Sequence, residues 1–175
     1  MAEGGRSAIR AARRSDLQRI ADLRMRGLGE AAHAESRLRL MPDARARTEQ
    51  ALPVWMGQDE RILIVAEGEA PEETVDGEPA SPPVLGYAMG RMNVAPPVFQ
   101  NQHVGELLEI FLLPEARGLG LGQALVAVIT EALRGRGAQV LRAAVPVANE
   151  VARSQLQHAG YKPLQRILER QLDAG

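Results

Sequence analysis

The chain contains no cysteine. That absence excludes structural disulfides, thiolate-bound metal and a cysteine that carries an acyl group covalently. Aromatic residues are scarce: Trp55, Tyr87, Phe99, Phe111 and Tyr161 are all there is. A core must then be assembled from Leu, Val, Ile, Ala and Met, and little stacking surface remains for nucleic-acid bases. Net charge is nearly absent at −1, so the basic surface of a nucleic-acid-binding protein is not indicated. No apolar run is long enough to span a bilayer, and the start MAEGGRSAIRAARR lacks the apolar core of a secretion signal. We expect a soluble cytoplasmic protein. His33, His103 and His158 lie far apart without ligand spacing, so no metal site is expected. A chain of 175 residues suffices for one well-buried domain and is short for two.

What is present centres on residues 105–122, GELLEIFLLPEARGLGLG. An apolar run from Leu107 to Leu113, interrupted only by Glu109 and ended by Pro114, reads as a strand. Arg117, Gly118, Gly120 and Gly122 follow, and an apolar helical pattern then begins at Leu121 and continues through Leu125, Val128, Ile129 and Ala132. The order is strand, glycine loop, helix N-terminus. Unpaired amides of a first helical turn attract an anion, and glycines let phosphate oxygens come close. Arg117 can add charge-assisted bonds. From spacing alone, a glycine-rich turn without a ligand stands equally open. A Walker loop is excluded because Gln123 and Ala124 follow Gly122, and the glycine order GxGxG is not that of a dinucleotide fingerprint.

The segment Arg117-Gly118-Leu119-Gly120-Leu121-Gly122 resembles the acyl-CoA pyrophosphate loop, Q/R-x-x-G-x-G/A, of the GNAT family of N-acetyltransferases. Asn149, Ala152, Gly160 and Tyr161 match that family's second segment, in the correct order and separated from the first by one helix and one strand. The resemblance implies an α/β (α+β) fold: a mixed central sheet, splayed after Leu113 and Pro146 and flanked by helices, forming a single domain over residues 1–175. It implies acetyl-CoA as acyl-donor co-substrate. The pantetheine arm would bond to backbone near Phe111, Leu112 and Leu113, the diphosphate would rest on Arg117 to Gly122 (Leu119 and Leu121 included), and Asn149 and Ala152 would complete the site.

Elsewhere the pattern is readable in pieces. Ser7 to Ala12 is a strand candidate, and Ser15 with Gln18 forms a capping box before Leu17, Ile20, Ala21 and Leu28. Arg19, Arg24 and Arg26 read as a solvated face. Ala44 to Met56 is a second helix with Pro53 near its end, and Arg61 to Glu67 a central strand. Residues 68–83, acidic and proline-rich, read as an exposed loop. Val84 to Met92 resumes as strand, with Gly86 and Gly90 marking close backbone approach. Gln139 to Val145 is the next strand. Gly160 is a C-cap for the helix after Asn149. For the tail after Pro163, where Leu164, Leu168 and Leu172 recur, the family implies closing strand structure, here one strand or a short hairpin.

The implied reaction is acetyl transfer from acetyl-CoA to a primary amine by direct attack in a ternary complex. Glu106, which matches the acidic position often used as base in the family, is the favoured base, and Glu109 is the other strand carboxylate. Three residues apart on a regular strand, they should face opposite sides. Leu156 stands where many relatives carry the tyrosine that protonates the leaving thiolate, and leucine donates no proton. Ser154, His158 and Tyr87 are reserve donors. A small-molecule amine is the favoured acceptor, with a protein N-terminus or lysine as the alternative. A non-catalytic acyl-CoA-binding regulatory module is the reading from another class, and the resemblance also raises a homodimer.

Overall fold

The computed structural model describes residues 8–69, 81–94, 98, 103–147, 149–165 and 167–170. Most of the acidic stretch expected as a loop lies outside them. The elements run β1 (Ala8–Ala11), a 3-10 turn Arg14–Asp16, α1 (Leu17–Ala34), α2 (Ala44–Met56), β2 (Arg61–Glu67), β3 (Val84–Val94) and β4 (His103–Leu112). A second 3-10 turn, Pro114–Ala116, leads to α3 (Leu121–Gly135), β5 (Val140–Ala143) and α4 (Glu150–His158). The strands form one sheet in the order β1-β2-β3-β4-β5. Neighbours are antiparallel except β4 and β5, which are parallel and joined through α3.

The sheet has a core on each face. Ile20 and Leu23 of α1 and Leu52 of α2 pack with Leu63, Val65, Tyr87, Met89 and Phe111. On the opposite face Leu125, Ile129 and Leu133 of α3 pack with Ile62, Ile64, Ala88 and Leu107. A strand covered on both faces needs apolar residues at consecutive positions, which is why β2 reads ILIVA without alternation. Gly27 brings α1 close to the sheet, since a Cβ there would stand 2.7 Å from Phe111 Cδ2. Gly90 does the same for α3, at 2.9 Å from Ile129 Cδ1.

Three expectations are corrected. Ser15 does not cap the first helix; the entry is fixed by Asp16, whose carboxylate accepts the Arg13 amide at 2.6 Å and two bonds from Arg10. The strand expected from Gln139 to Val145 is shorter, Val140–Ala143, because its pairing with β4 stops there. Among the described residues no strand follows α4 and the last strand of the sheet is β5; Leu172, also part of that expectation, lies outside them. Leu164 and Leu168, at 69% and 92% exposure, find nothing to pack against, which removes the reason for a strand.

Candidate active site

The site begins with an irregularity in β4. Met89 of β3 pairs with Glu109, but its neighbour Gly90 pairs with Leu107, leaving Leu108 without a partner. This β-bulge resets the alternation of side chains. Glu106 and Glu109 therefore lie on the same face, opposite Arg91 and Met89 respectively, and not on opposite faces as a regular strand requires.

Beside the bulge the sheet opens. Pairing of β4 with β5 runs from Val104–Val140 only to Leu107–Ala143, whereas β4 continues to Leu112. The separation begins well before Leu113 and Pro146, where the sequence led us to expect it. Leu108 and Ile110 are each 37% exposed along this unpaired edge. The Leu113 amide bonds back to Leu85 on β3 at 2.9 Å, so alternation turns the backbone groups of Leu112 and Ile110 toward the opening. Phe111 is buried against α1, and its neighbour Leu113 is also buried.

The glycine loop caps the far end of that edge. Gly118 and Gly120 both hold φ of +79°, a region that costs an ordinary side chain energy, and Gly120 is the N-cap of α3. Among the described residues the backbone N–H groups from Gly118 to Gln123, including Leu119 and Leu121, have no partner. Gly122 differs: its φ is ordinary, and the nearest atoms a Cβ would meet are Gln155 Oε1 at 3.5 Å and Leu112 Cδ1 at 3.6 Å, ordinary contacts. Nothing in the chain itself demands glycine at 122, in keeping with a motif that takes glycine or alanine there; a diphosphate would use the unpaired amides of the loop. The donor set fits that group.

Arg117 is already committed within the chain. Its Nε donates to Leu112 O at 3.0 Å, its Nη2 to Glu30 at 2.7 Å, and its guanidinium lies 5.6 Å from the Phe111 ring centre. It ties α1 to the loop. Asn149 is the N-cap of α4, its side chain accepting the Ala152 amide at 3.1 Å, and Gly160 ends that helix with φ of +90° while the Tyr161 amide bonds to Leu156 O.

On the opposite side of the sheet, a cavity of ≈ 450 Å³ is lined by Arg24, Leu52, Trp55, Met89, Leu108 and Glu109, with Ala51. Arg24 grips Glu109 with Nε and Nη2, at 2.9 and 2.6 Å, and the Tyr87 hydroxyl donates to the same carboxylate at 3.0 Å. Burial raises the Tyr87 pKa strongly, reinforced by the Glu109 charge, so the hydroxyl keeps its proton. Glu106 is not part of this lining. Burial alone would raise its pKa, but the Asn93 amide at 3.0 Å and the Arg91 guanidinium at 2.7 Å outweigh that, and its pKa falls below the usual carboxylate value.

Two comparisons bear on these features. The family model described as Acetyltransferase (GNAT) family matches residues 18–161, from the start of α1 through the second motif. The chain belongs to the acetyltransferase (GNAT) family. Solved structures share the fold. A putative acetyl transferase from Pyrococcus furiosus is 21% identical with a TM-score of 0.69, covering 95% of this chain and 100% of its own. An aminoglycoside N-acetyltransferase in complex with CoA is 16% identical with a TM-score of 0.71, covering 99% of each chain. A transcriptional regulator from Bacillus halodurans is 18% identical with a TM-score of 0.71, covering 95% of this chain and 100% of that one. A comparison with curated proteins gave no match.

Within this GNAT chain, sequence reasoning missed Arg24. Read as part of a solvated face, it is instead half-buried against Glu109, and Arg19 bonds to Val84 O at 3.1 Å. Its position one turn beyond Ile20 and one before Gly27, both facing the sheet, was the available signal. Leu156 is partly buried against the α3 core and offers no proton. Ser154 and His158 are exposed on α4, where His158 Nδ1 bonds to Ser154 O at 2.7 Å. No helix among the described residues is long and apolar enough to cross a membrane.

Proposed function

We propose that this GNAT protein transfers an acetyl group from acetyl-CoA to a primary amine, with both substrates bound together. The observation that carries this reading is the juxtaposition of two openings at the β4 bulge. On one side is a slot edged by the end of β4 that has no neighbouring strand and closed by the glycine-loop amides; on the other is the cavity lined by Glu109. A thioester reaching along the slot and an amine entering through the cavity would meet at Leu108.

Acetyl-CoA supplies an activated acyl carbon. The amine nitrogen bonds to that carbon as the carbon–sulfur bond breaks, the amine gives up its extra proton, and the thiolate takes a proton from water. The chain's contribution is positional. Glu109, held by Arg24 and Tyr87, accepts the amine's proton directly or through one water, and a backbone amide of the unpaired β4 edge beside the bulge supports charge on the carbonyl oxygen. Arg117 to Gly122 hold the diphosphate, while Phe111 and Leu113 fix the strand that carries Leu112. Asn149 and Ala152 position α4 against the slot. With Leu156 in place of a donor, protonation of the thiolate falls to solvent, which a good leaving group tolerates.

The test is CoA release from acetyl-CoA over a panel of polyamines, aminoglycosides, amino acids and short peptides, with Glu109→Gln alongside. Turnover of at least one amine, lowered in the variant, is expected. Tight acetyl-CoA binding with no turnover of any amine would instead make the protein a non-catalytic acyl-CoA-binding module.

A further inference from the structure

One transverse row of side chains across the sheet carries concentrated charge. Arg61 of β2 stands opposite Arg91 of β3, Arg91 opposite Glu106 of β4, and Glu106 opposite Arg142 of β5. Cross-strand partners share a face. Here it is the face of α1 and α2, because the Arg61 guanidinium lies 4.4 Å from the ring centre of Trp55 on α2. Like charges directly opposite one another destabilise a strand pair, so placing Arg61 beside Arg91 works against the fold. Glu106 offsets one guanidinium, Arg91, at 2.7 Å. Among the described residues neither Arg61 nor Arg142 has a carboxylate within ion-pair distance.

The row borders the cavity already described. Met89 and Glu109, which line it, are the next pair on the same face of β3 and β4, one step of about 7 Å along the strands. Trp55 belongs to both, lining the cavity and stacking with Arg61. A ligand that fills the cavity and extends along the sheet meets guanidinium groups with unused donors.

The geometry points to an acceptor that carries a carboxylate as well as its amine, the carboxylate seated on Arg91 and Arg142, with Arg61 adding to the positive field from its place on Trp55. This rests on the acetyltransferase reading for the amine end only. Guanidinium forks match the planar carboxylate, and three of them against one bound glutamate leave a net positive surface. The same surface repels a second ammonium group, so a polycationic acceptor is disfavoured where an amino-carboxylate is accepted. The step of about 7 Å suits an amine and a carboxylate several bonds apart.

Three length-matched amines test this: 6-aminohexanoate, hexylamine and 1,6-diaminohexane. We expect kcat/KM to be highest for 6-aminohexanoate, by about tenfold, as expected for one or two charge-assisted hydrogen bonds. Arg142→Ala, on an exposed edge position, should raise KM for 6-aminohexanoate and leave its kcat, the acetyl-CoA KM and hexylamine turnover unchanged. Calorimetric binding of 6-aminohexanoate to the unliganded protein, weakened in Arg142→Ala at unchanged melting temperature, gives a readout independent of turnover. Equal or preferred use of the diamine, or carboxylate binding that Arg142→Ala leaves intact, overturns the inference. Failure of every amine to react, with carboxylate binding preserved, instead overturns the transferase reading alone.

Discussion

Glu106 and Glu109 share one face of β4 because Leu108 is bulged out between them. The two carboxylates thus face the same side of the sheet in different company. Glu109 borders the cavity beside Arg24 and accepts the Tyr87 hydroxyl, whereas Glu106 is held by Asn93 and Arg91 with Arg142 nearby.

Their separation predicts distinct pH behaviour. The Glu106 pKa is depressed, so the group stays ionised at and above the ordinary carboxylate value of about 4 and takes up a proton only below it. A rise of kcat/KM between pH 6 and 9 then reports the acceptor's ammonium and not Glu106. Profiles of the Glu106→Gln variant should keep that rise in place, while Glu109→Gln should lower kcat on the order of 10²-fold. A neutral-pH limb that vanishes in Glu106→Gln would transfer the base to Glu106.

The two glycines that end the loop should respond differently. Gly122→Ala introduces a Cβ at ordinary contact distance from Gln155 and Leu112 in the first turn of a helix, where alanine is favoured over glycine by up to about 1 kcal/mol. The melting temperature should hold or rise, and acetyl-CoA affinity should hold with it, because the matched motif takes glycine or alanine at this position. Gly120→Ala, forced to φ of +79°, should lose about 1 kcal/mol of stability. Its acetyl-CoA affinity should also fall, by about tenfold or more, as the loop amides that would meet the diphosphate are displaced. Unchanged acetyl-CoA affinity in Gly120→Ala, measured by calorimetry, would remove the loop from the binding site.

These outcomes also mark how far the sequence could be read. The glycine spacing after Leu113, the bounds of α2 and β2 and the cap at Gly160 follow from local chemistry, and local chemistry is what a sequence displays. The Leu108 bulge depends on register against β3, which alternation within β4 does not encode. The early opening depends on how short β5 is, and the role of Arg24 on a carboxylate 85 positions away. Leu164 and Leu168 recur at regular spacing, but periodicity forms an element only where a surface exists to cover it.

Arg10 supports the other end of the sheet. It bonds to Asp16 at 2.7 and 3.0 Å and to Glu67 at 2.8 Å, joining β1, the entry to α1 and the end of β2. Arg10→Met should destabilise the fold by about 3–5 kcal/mol, because two buried carboxylates are left without their cation. The Arg10 hydrogen bond lowers the Asp16 pKa. A depressed folded-state pKa contributes stability above the ordinary carboxylate value that is lost as pH falls through the folded-state value. Urea unfolding between pH 7 and pH 2 should therefore show a steep acid loss in the native protein and a shallower one in Asp16→Asn. Parallel curves for the two proteins would deny Asp16 this role.

Gly86 sets how closely β3 approaches the slot-forming end of β4. A Cβ there would press on Leu112 Cδ2 and stand 2.5 Å from the Phe111 carbonyl oxygen, and a backbone atom cannot swing aside as a side-chain tip can. Gly86→Ala must push β4 away, so it should destabilise the protein by about 1–3 kcal/mol and displace the Leu112 amide that faces the opening. Gly29→Ala is the matched control: it lies within α1 with nothing within 4 Å of the added methyl, and should leave stability unchanged or higher by up to about 1 kcal/mol. Thermal melts and acetyl-CoA titrations of the pair distinguish the cases. Equal melting temperatures would show that β4 yields at this point, and the close approach would no longer account for a rigid slot wall.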